Sequence, residues 1–163
     1  MPKSKSENPK AKSDQGPILV AVDFSDDSRA ALQWACEHAR DSAAPLVLLH
    51  VVHDPASAPG FYRADPVGHL EPMQGVAESR MAGFLDEAQR TCPGEPALKQ
   101  AAVKFVAGLP AGRIVEMAGL LNARLIVMGC RGLSGLPHVL LGSVAERVVQ
   151  LAQLPVVVVK AAK

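Results

Sequence analysis

The chain has 163 residues, enough for one domain with a substantial core and too few for two domains of ordinary size. Its formal net charge of +1 gives no electrostatic reason to expect binding to nucleic acid or to an anionic membrane. Three cysteines (Cys36, Cys92 and Cys130) have no metal-binding spacing, and no apolar run is long enough to span a membrane. Without a secretion-signal pattern, these features predict a cytoplasmic protein with reduced thiols.

The first sixteen residues differ from the rest of the chain. They contain four lysines among Pro, Ser, Asn and Gln, and no large apolar residue follows Met1. A segment of this composition cannot bury enough apolar surface to become ordered. We therefore expect residues 1–16 to be a flexible basic tail and residues 17–163 to form a single domain.

The next stretch predicts a strand followed by a helix. Residues 18–22 are continuously apolar, which is typical of a strand buried on both faces in a parallel sheet. Asp23 ends this run, and Ser25 is a suitable N-cap for a helix that extends to about Arg40. Open α/β sheets bind ligands at the carboxyl ends of central strands. Asp23 is therefore a candidate to accept from a ribose hydroxyl or hold a metal ion, and a capping role is the alternative.

Strands and helices continue to alternate after this unit. Residues 46–52 form a second strand-like run, and the Pro- and Gly-rich residues 53–72 predict a long loop. A helical pattern over residues 74–91 precedes a strand near residues 101–105, whose polar alternation predicts a position near the sheet edge. Pro110 then suits the first position of another helix.

The loop before the last helix carries the clearest functional signal. An apolar run ends on a glycine, about a dozen residues follow, and a helical pattern begins at Ser143. Glycine occurs at four points, Gly129, Gly132, Gly135 and Gly142. Glycine lets the backbone approach a ligand closely, and the unpaired N–H groups of a helix N-terminus attract phosphate. The spacing is neither Walker A nor G-x-G-x-x-G, and an ordinary strand–helix connection is the alternative.

The element order predicts an α/β fold with a parallel sheet, right-handed crossovers and helices on both faces. Its last strand, Val156–Val159, consists of four valines. A bare apolar edge strand invites aggregation unless it is covered. We therefore predict a homodimer that pairs through Val156–Val159, with masking by the terminal lysines as the alternative.

The pattern Gly129-x2-Gly132-x9-Gly142-Ser143 resembles the nucleotide-binding signature of the universal stress proteins. The string "GCRGLSGLPHVLLGSVAERVV" carries the resemblance into the last helix. The strings "ILVAVDFSDDSRAALQWA", "LVLLHVV" and "GLPAGRIVEMA" extend it over residues 17–160. The resemblance implies a five-stranded parallel sheet of order 3-2-1-4-5, Rossmann-like and similar to the adenine nucleotide α-hydrolases, that is usually dimeric through the last strand.

The complete glycine signature implies the branch of this family that binds ATP. By this match Asp23 would hold the ribose, and the backbones of Val22 and Val51 would flank the adenine. The residues implied around the phosphates are Gly129, Arg131, Gly132, Gly142, Ser143 and Val144. The side chain of Arg131 can reach either the phosphates or solvent. Mg²⁺ or Mn²⁺ would bridge the phosphates to solvent, without a metal ligand from the protein itself.

Two positions in the loop need separate comment. Many ATP-binding relatives carry a basic residue in the middle of the loop, where this chain has Pro137 and His138. This difference weakens the case for an additional phosphate contact there. Cys130 lies beside the phosphate turn, and a thiol near a helix N-terminus can be oxidised selectively. Redox control of ATP binding is one hypothesis for Cys130, and a passive small residue is the alternative.

The function implied by the resemblance is ATP-dependent regulation in the stress response, with ADP or AMP as the other nucleotides that could be held. At most slow hydrolysis is expected, because no residue is placed by the sequence as a water-activating base. A dimeric member of the family that binds no nucleotide and acts through protein partners is the alternative. A nucleotide-dependent enzyme on the same architecture is a third hypothesis, but its His-x-x-His or Ser-Gly-Gly signatures are missing after the first strand.

Overall fold

The computed structural model describes residues 16–53, 73–133 and 140–162. The strands are β1 (Ile18–Ala21), β2 (Leu46–Val52), β3 (Ala102–Ala107), β4 (Leu125–Gly129) and β5 (Val156–Val159). The helices are α1 (Asp26–Ser42), α2 (Met73–Thr91), α3 (Pro96–Lys99), α4 (Pro110–Leu120) and α5 (Ser143–Leu151). All strand pairs are parallel and the sheet order is β3-β2-β1-β4-β5, which confirms the predicted fold class.

Several predictions concern segments outside the described residues. These are the basic tail apart from Gly16, the 53–72 loop apart from His53, and the loop residues Gly135, Pro137 and His138. Gly16 itself belongs to the folded part of the chain. A Cβ atom there would collide with the backbone of Asn122, so the residue packs closely against the turn that precedes β4.

The core is divided into two layers by the sheet. Val20 and Val127 face the layer under α1 and α2, whereas Leu19 and Ile126 face the layer under α4 and α5. All four side chains are fully buried. Both faces of the central strands are covered by helices, and this explains why their sequences are continuously apolar rather than alternating.

Both edge strands of the sheet are only partly buried. β3 is only partly buried and lies at one edge, as its polar alternation predicts. β5 lies at the other edge, where Val157 and Val159 pack on one core layer and Val156 and Val158 on the other. The side chains of β5 therefore serve the core of this chain, and its outer backbone edge has no neighbouring strand in the described residues.

Two local features depart from the predictions. α1 continues to Ser42, two residues beyond the expected end, and stops where Ala43 takes a left-handed conformation with φ of 51°. The Pro- and Gly-rich segment after α2 contains the short helix α3, which the sequence analysis did not predict. The buried carboxylate of Glu95, which precedes α3, pairs with Arg40 of α1. This contact holds the segment in place although its composition indicates only a break between elements.

Candidate functional site

A cavity of about 220 Å³ opens at the carboxyl ends of β1 and β4. The chain adds strands outward from β1 in one direction and from β4 in the other, so the cavity lies at the point where the winding of the sheet reverses. Open α/β sheets bind their ligands at this position. The apolar walls of the cavity come from Ala21, Val22, Leu49, Val51, Ile114 and Met128.

Most of the predicted site residues meet at this cavity. Its lining includes Val22, Asp23, Val51, Gly129, Gly132, Gly142, Ser143 and Val144. Arg131 is the exception. Its Nε atom lies 3.3 Å from Oδ2 of Asp27, and its backbone N–H donates to the same oxygen over 3.0 Å. A buried carboxylate therefore holds the guanidinium at the first turn of α1, and Arg131 is not among the residues that line the cavity.

The two carboxylate oxygens of Asp23 have different surroundings. Oδ1 accepts from the backbone N–H and the hydroxyl of Ser25, over 3.0 Å and 2.5 Å. Oδ2 has no hydrogen-bond partner among the described residues, and it lies 2.9 Å from where a Cβ atom on Gly132 would be. The capping and ligand-binding interpretations are therefore compatible. One oxygen orients the N-cap serine of α1, and the other is available to a hydroxyl donor.

The glycines of the loop are needed for close packing. A Cβ atom on Gly129 would lie 2.9 Å from the backbone of Asp27 and Ser28. A Cβ atom on Gly142 would lie 3.1 Å from the carbonyl oxygen of Cys130, which already accepts from the N–H of Gly142 over 2.8 Å. None of the described glycines in the loop has a positive φ. Close approach to α1 and within the loop, rather than a left-handed backbone, therefore explains the described part of the glycine pattern.

The N-terminus of α5 borders the cavity without a side-chain cap. Gly142 is its N-cap residue and, within the described chain, no side chain accepts from its first turn. Ser143, Val144 and Ala145 all line the cavity. The first N–H groups of a helix lack intrahelical partners and carry the positive end of the helix dipole, so this end of the cavity favours an anion. The N-terminus of α1 differs, because Ser25 accepts from the N–H of Ser28.

Asp27 connects three separate parts of the chain. Its side chain is only 5 % exposed and accepts from the N–H and Nε of Arg131 and from the N–H of Ala161. Burial raises the pKa of Asp27, but these hydrogen bonds and the charge of Arg131 outweigh burial, so the pKa lies below its usual value. This cluster was not predicted from the sequence, because Arg131 and Ala161 each lie more than a hundred residues from Asp27.

His50 supports the backbone that forms one wall of the cavity. Its Nδ1 lies 2.7 Å from the carbonyl oxygen of Val22, which can only accept, so Nδ1 carries the hydrogen. The ring packs against Phe24 and Phe105, with centroid separations of 4.5 Å and 6.3 Å. Burial lowers the pKa of His50 despite this hydrogen bond, which keeps the ring neutral. Sequence reasoning found only a histidine within a strand and assigned it no role.

The universal stress protein family model matches residues 16–160. This chain belongs to the universal stress protein family. It is 33% identical over 147 residues to the universal stress protein YxiE of Bacillus subtilis, a match that covers 88% of this chain and 97% of YxiE. It is 30% identical over 159 residues to the universal stress protein Sll1388 of a Synechocystis species, with 89% and 97% of the two chains covered.

Solved universal stress proteins share the fold. UspA from Lactobacillus plantarum is 28% identical, with a TM-score of 0.65 over 88% of this chain and 97% of UspA. A universal stress protein in complex with cAMP is 25% identical, with a TM-score of 0.62 over 91% and 98% of the two chains. In the described parts of this universal stress protein, no helix is long and apolar enough to cross a membrane. The same residues contain no group of three or more His, Cys, Asp or Glu side chains that could hold a metal ion.

Proposed function

We propose that this universal stress protein is a regulatory protein of the stress response that binds ATP in the cavity between β1 and β4. The observation that carries the proposal is that one cavity combines three kinds of binding surface. Within the described residues, it has apolar walls, a carboxylate oxygen of Asp23 without a hydrogen-bond partner and the uncapped N-terminus of α5. These suit the base, the ribose hydroxyls and the phosphates of a nucleotide. The relative in complex with cAMP supports an adenine nucleotide as the ligand class.

The size of the cavity indicates which part of such a ligand would lie inside it and which part at its mouth. Its volume of about 220 Å³ is below the roughly 300–1,000 Å³ of pockets that enclose a whole drug-sized ligand. We therefore place the base and ribose inside and the phosphates at the mouth, next to α5. The backbones of Val22 and Val51 would flank the adenine, and Oδ2 of Asp23 would accept from a ribose hydroxyl.

The phosphates would be held mainly by backbone groups. The N–H groups at Ser143 and Val144 and the hydroxyl of Ser143 are hydrogen-bond donors beside the cavity. Gly129 and Gly132 would keep the neighbouring backbone free of side chains. Mg²⁺ or Mn²⁺ would be bound through the phosphates. Arg131 would act by holding the loop on Asp27 rather than by contacting a phosphate.

Calorimetric titration of the full chain with nucleotides tests this proposal. ATP with Mg²⁺ is expected to bind with a Kd in the micromolar range or below, and 2′,3′-dideoxy-ATP about tenfold more weakly, because it lacks the hydroxyls that Asp23 would bind. ADP and AMP measure the contribution of the terminal phosphates. A folded protein that binds none of these nucleotides would contradict the proposal and leave the dimeric interaction protein as the better hypothesis. A phosphate-release assay with ATP is expected to show at most slow turnover.

We also propose that the protein is a homodimer through Val156–Val159. The carbonyl of Val159 accepts from the N–H of Cys130 in the chain after β4. Backbone groups alternate in direction along a strand, so those of Val156 and Val158 point to the open edge. Light scattering should give the mass of a dimer. Val158→Pro removes one outward N–H and should give a monomer, whereas a dimeric Val158→Pro variant with native circular dichroism would contradict pairing through this edge.

A further inference from the structure

A second cavity, of about 250 Å³, lies between α1 and α2 and shares no lining residue with the nucleotide cavity. Two of the three cysteines line it, Cys36 on α1 and Cys92 directly after α2. The two residues are therefore brought to one small space by elements that are distant in sequence, and the charge of Cys92 acts on the thiol of Cys36. The third cysteine, Cys130, lines the nucleotide cavity, where its Sγ donates to the carbonyl of Leu140 over 2.8 Å.

A series of contacts holds the segment of Cys92 beside the helix turn of Cys36. Arg40 lies four residues after Cys36 on α1 and hence on the same helix face. Its guanidinium donates to Oε2 of Glu95, over 3.0 Å from Nε. The backbone N–H of Glu95 donates in turn to the carbonyl of Cys92 over 3.5 Å. The ion pair thus anchors the turn that carries Cys92 against α1.

The two thiols differ in accessibility. Cys36 is fully buried, and burial raises the pKa of its thiol to about 12, with smaller contributions from Cys92 and Glu95. Cys92 is partly exposed and can meet an oxidant from solvent. This difference assigns the first reaction to Cys92 and leaves Cys36 as a protected partner.

Glu95 provides an independent sign that this cluster has a further role. Its side chain is only 2 % exposed, and Oε1 has no hydrogen-bond partner among the described residues. Buried polar atoms are nearly always paired, so this oxygen of a carboxylate that acts electrostatically on the Cys36 thiol, in a residue bonded through its backbone to Cys92, requires an explanation. An acceptor for a thiol proton at this position is such an explanation.

We propose that Cys36 and Cys92 form a reversible intramolecular disulfide when the protein meets hydrogen peroxide. The thiolate of Cys92 attacks the peroxide, so that an S–O bond forms, the O–O bond breaks and hydroxide leaves with the original thiol proton as water. The sulfur of Cys36 then attacks the sulfenic acid of Cys92. The S–S bond forms, the S–O bond breaks, and the Cys36 proton leaves through Oε1 of Glu95 with the hydroxyl as a second water. Two thiols lose two electrons, and one peroxide is reduced to two waters.

Peptide mapping of the full chain tests the disulfide directly. Trypsin should separate the cysteines into peptides 30–40, 91–99 and 125–131. After peroxide treatment and alkylation of remaining thiols under denaturing conditions, we expect peptides 30–40 and 91–99 to be joined with the loss of two hydrogens, and to separate with dithiothreitol. Cys130→Ser should keep this link and Cys92→Ser should abolish it. Glu95→Gln should form it several-fold more slowly.

Thermal unfolding gives a second measurement. The oxidised protein should unfold at a midpoint roughly 5–15 °C higher than the reduced protein, because the bond closes a long loop in the unfolded chain. A link that involves peptide 125–131, a link only between two copies of the chain, or oxidation of Cys92 to sulfinic acid with Cys36 still free would each overturn the proposal. The cluster is separate from the nucleotide cavity, so these results do not depend on whether ATP binds.

Discussion

Asp23 and Asp27 are four residues apart, yet the segment from residue 129 to residue 133 uses them in opposite ways. Asp27 is buried and accepts three hydrogen bonds, from two groups of Arg131 and from Ala161. Asp23 lies against Gly132 and has one carboxylate oxygen without a partner among the described residues. Adjacent residues of one loop therefore have different roles, since Arg131 binds Asp27 and Gly132 lies against Asp23. The satisfied carboxylate holds the loop on the fold, and the carboxylate oxygen without a partner among the described residues lies at the cavity in which we propose that a nucleotide binds.

The largest expected effect comes from removing the satisfied carboxylate. Asp27→Ala leaves Arg131 and the N–H of Ala161 without their acceptor, and we expect the free energy of unfolding to fall by roughly 2–4 kcal/mol. Urea denaturation measures this change. Asp26→Ala is the matched control, because that side chain is 92% exposed and its removal should cost less than about 0.5 kcal/mol. Equal losses in the two variants would contradict the structural role of Asp27.

Changing the unsatisfied carboxylate should affect binding more than folding. Asp23→Asn keeps an oxygen for Ser25 but removes the negative charge, so we expect the Kd for ATP to rise about 10–100-fold. The free energy of unfolding should change by less than about 1 kcal/mol. Calorimetry and urea denaturation on the same samples separate the two effects. Asp26→Asn controls for the loss of one charge, and an equal rise in Kd there would mean that Asp23 makes no specific contact.

Alanine substitutions at Gly129 and Gly132 should again separate an effect on stability from an effect on binding, with smaller changes than the aspartate variants. In Gly129→Ala the new Cβ meets rigid backbone at Asp27 and Ser28, so we expect a loss of about 1–3 kcal/mol in the free energy of unfolding. In Gly132→Ala the only described atom that it meets is a side-chain carboxylate oxygen of Asp23, which can rotate away. That variant should be nearly as stable as the original but bind ATP several-fold more weakly. The opposite pattern would contradict the assignment of the two sides.

The smallest effect is expected in the pH dependence of stability. The pKa of Asp27 is lower in the folded protein than in the unfolded chain, so the unfolded chain takes up its proton first as the pH falls. The stabilisation is complete above about pH 4 and is lost as the pH falls through the folded pKa. The original protein should therefore lose more stability than Asp27→Asn as the pH is lowered below about 4. Parallel acid profiles in the two variants would show that Asp27 is not responsible.

The elements that were predicted from the sequence depend on local patterns. The apolar runs gave the strands, Ser25 and Pro110 marked the starts of α1 and α4, and the polar alternation of β3 indicated an edge. Asp23 was recognised as a candidate ligand-binding residue because it directly follows an apolar run that predicts a central strand. The loop glycines and Ser143 were also found from local pattern, whereas Val22, Val51 and Val144 were implied only by the resemblance to the universal stress proteins.

The remaining features depend on contacts between distant parts of the chain. Arg131 has no neighbour in sequence that would predict its pairing with Asp27, and the charge pattern alone left phosphate and solvent as equal alternatives. Helix α3 forms in a segment that its prolines and glycine mark as a break, next to the contact between Glu95 and Arg40. The exact need for glycine at Gly129 also follows only from where α1 packs.

Hydrogen bonds at and just after the end of β5 link this edge strand to the loop that follows β4. Val159 receives the N–H of Cys130 over 2.7 Å, and Ala161 is tied to the same aspartate that clamps Arg131. A ligand that orders this loop would act on the sheet edge through two short hydrogen-bonded links, one directly to Val159 and one through Asp27 in the first turn of α1. Filling of the cavity and attachment of a second copy at Val156–Val159 would then influence each other.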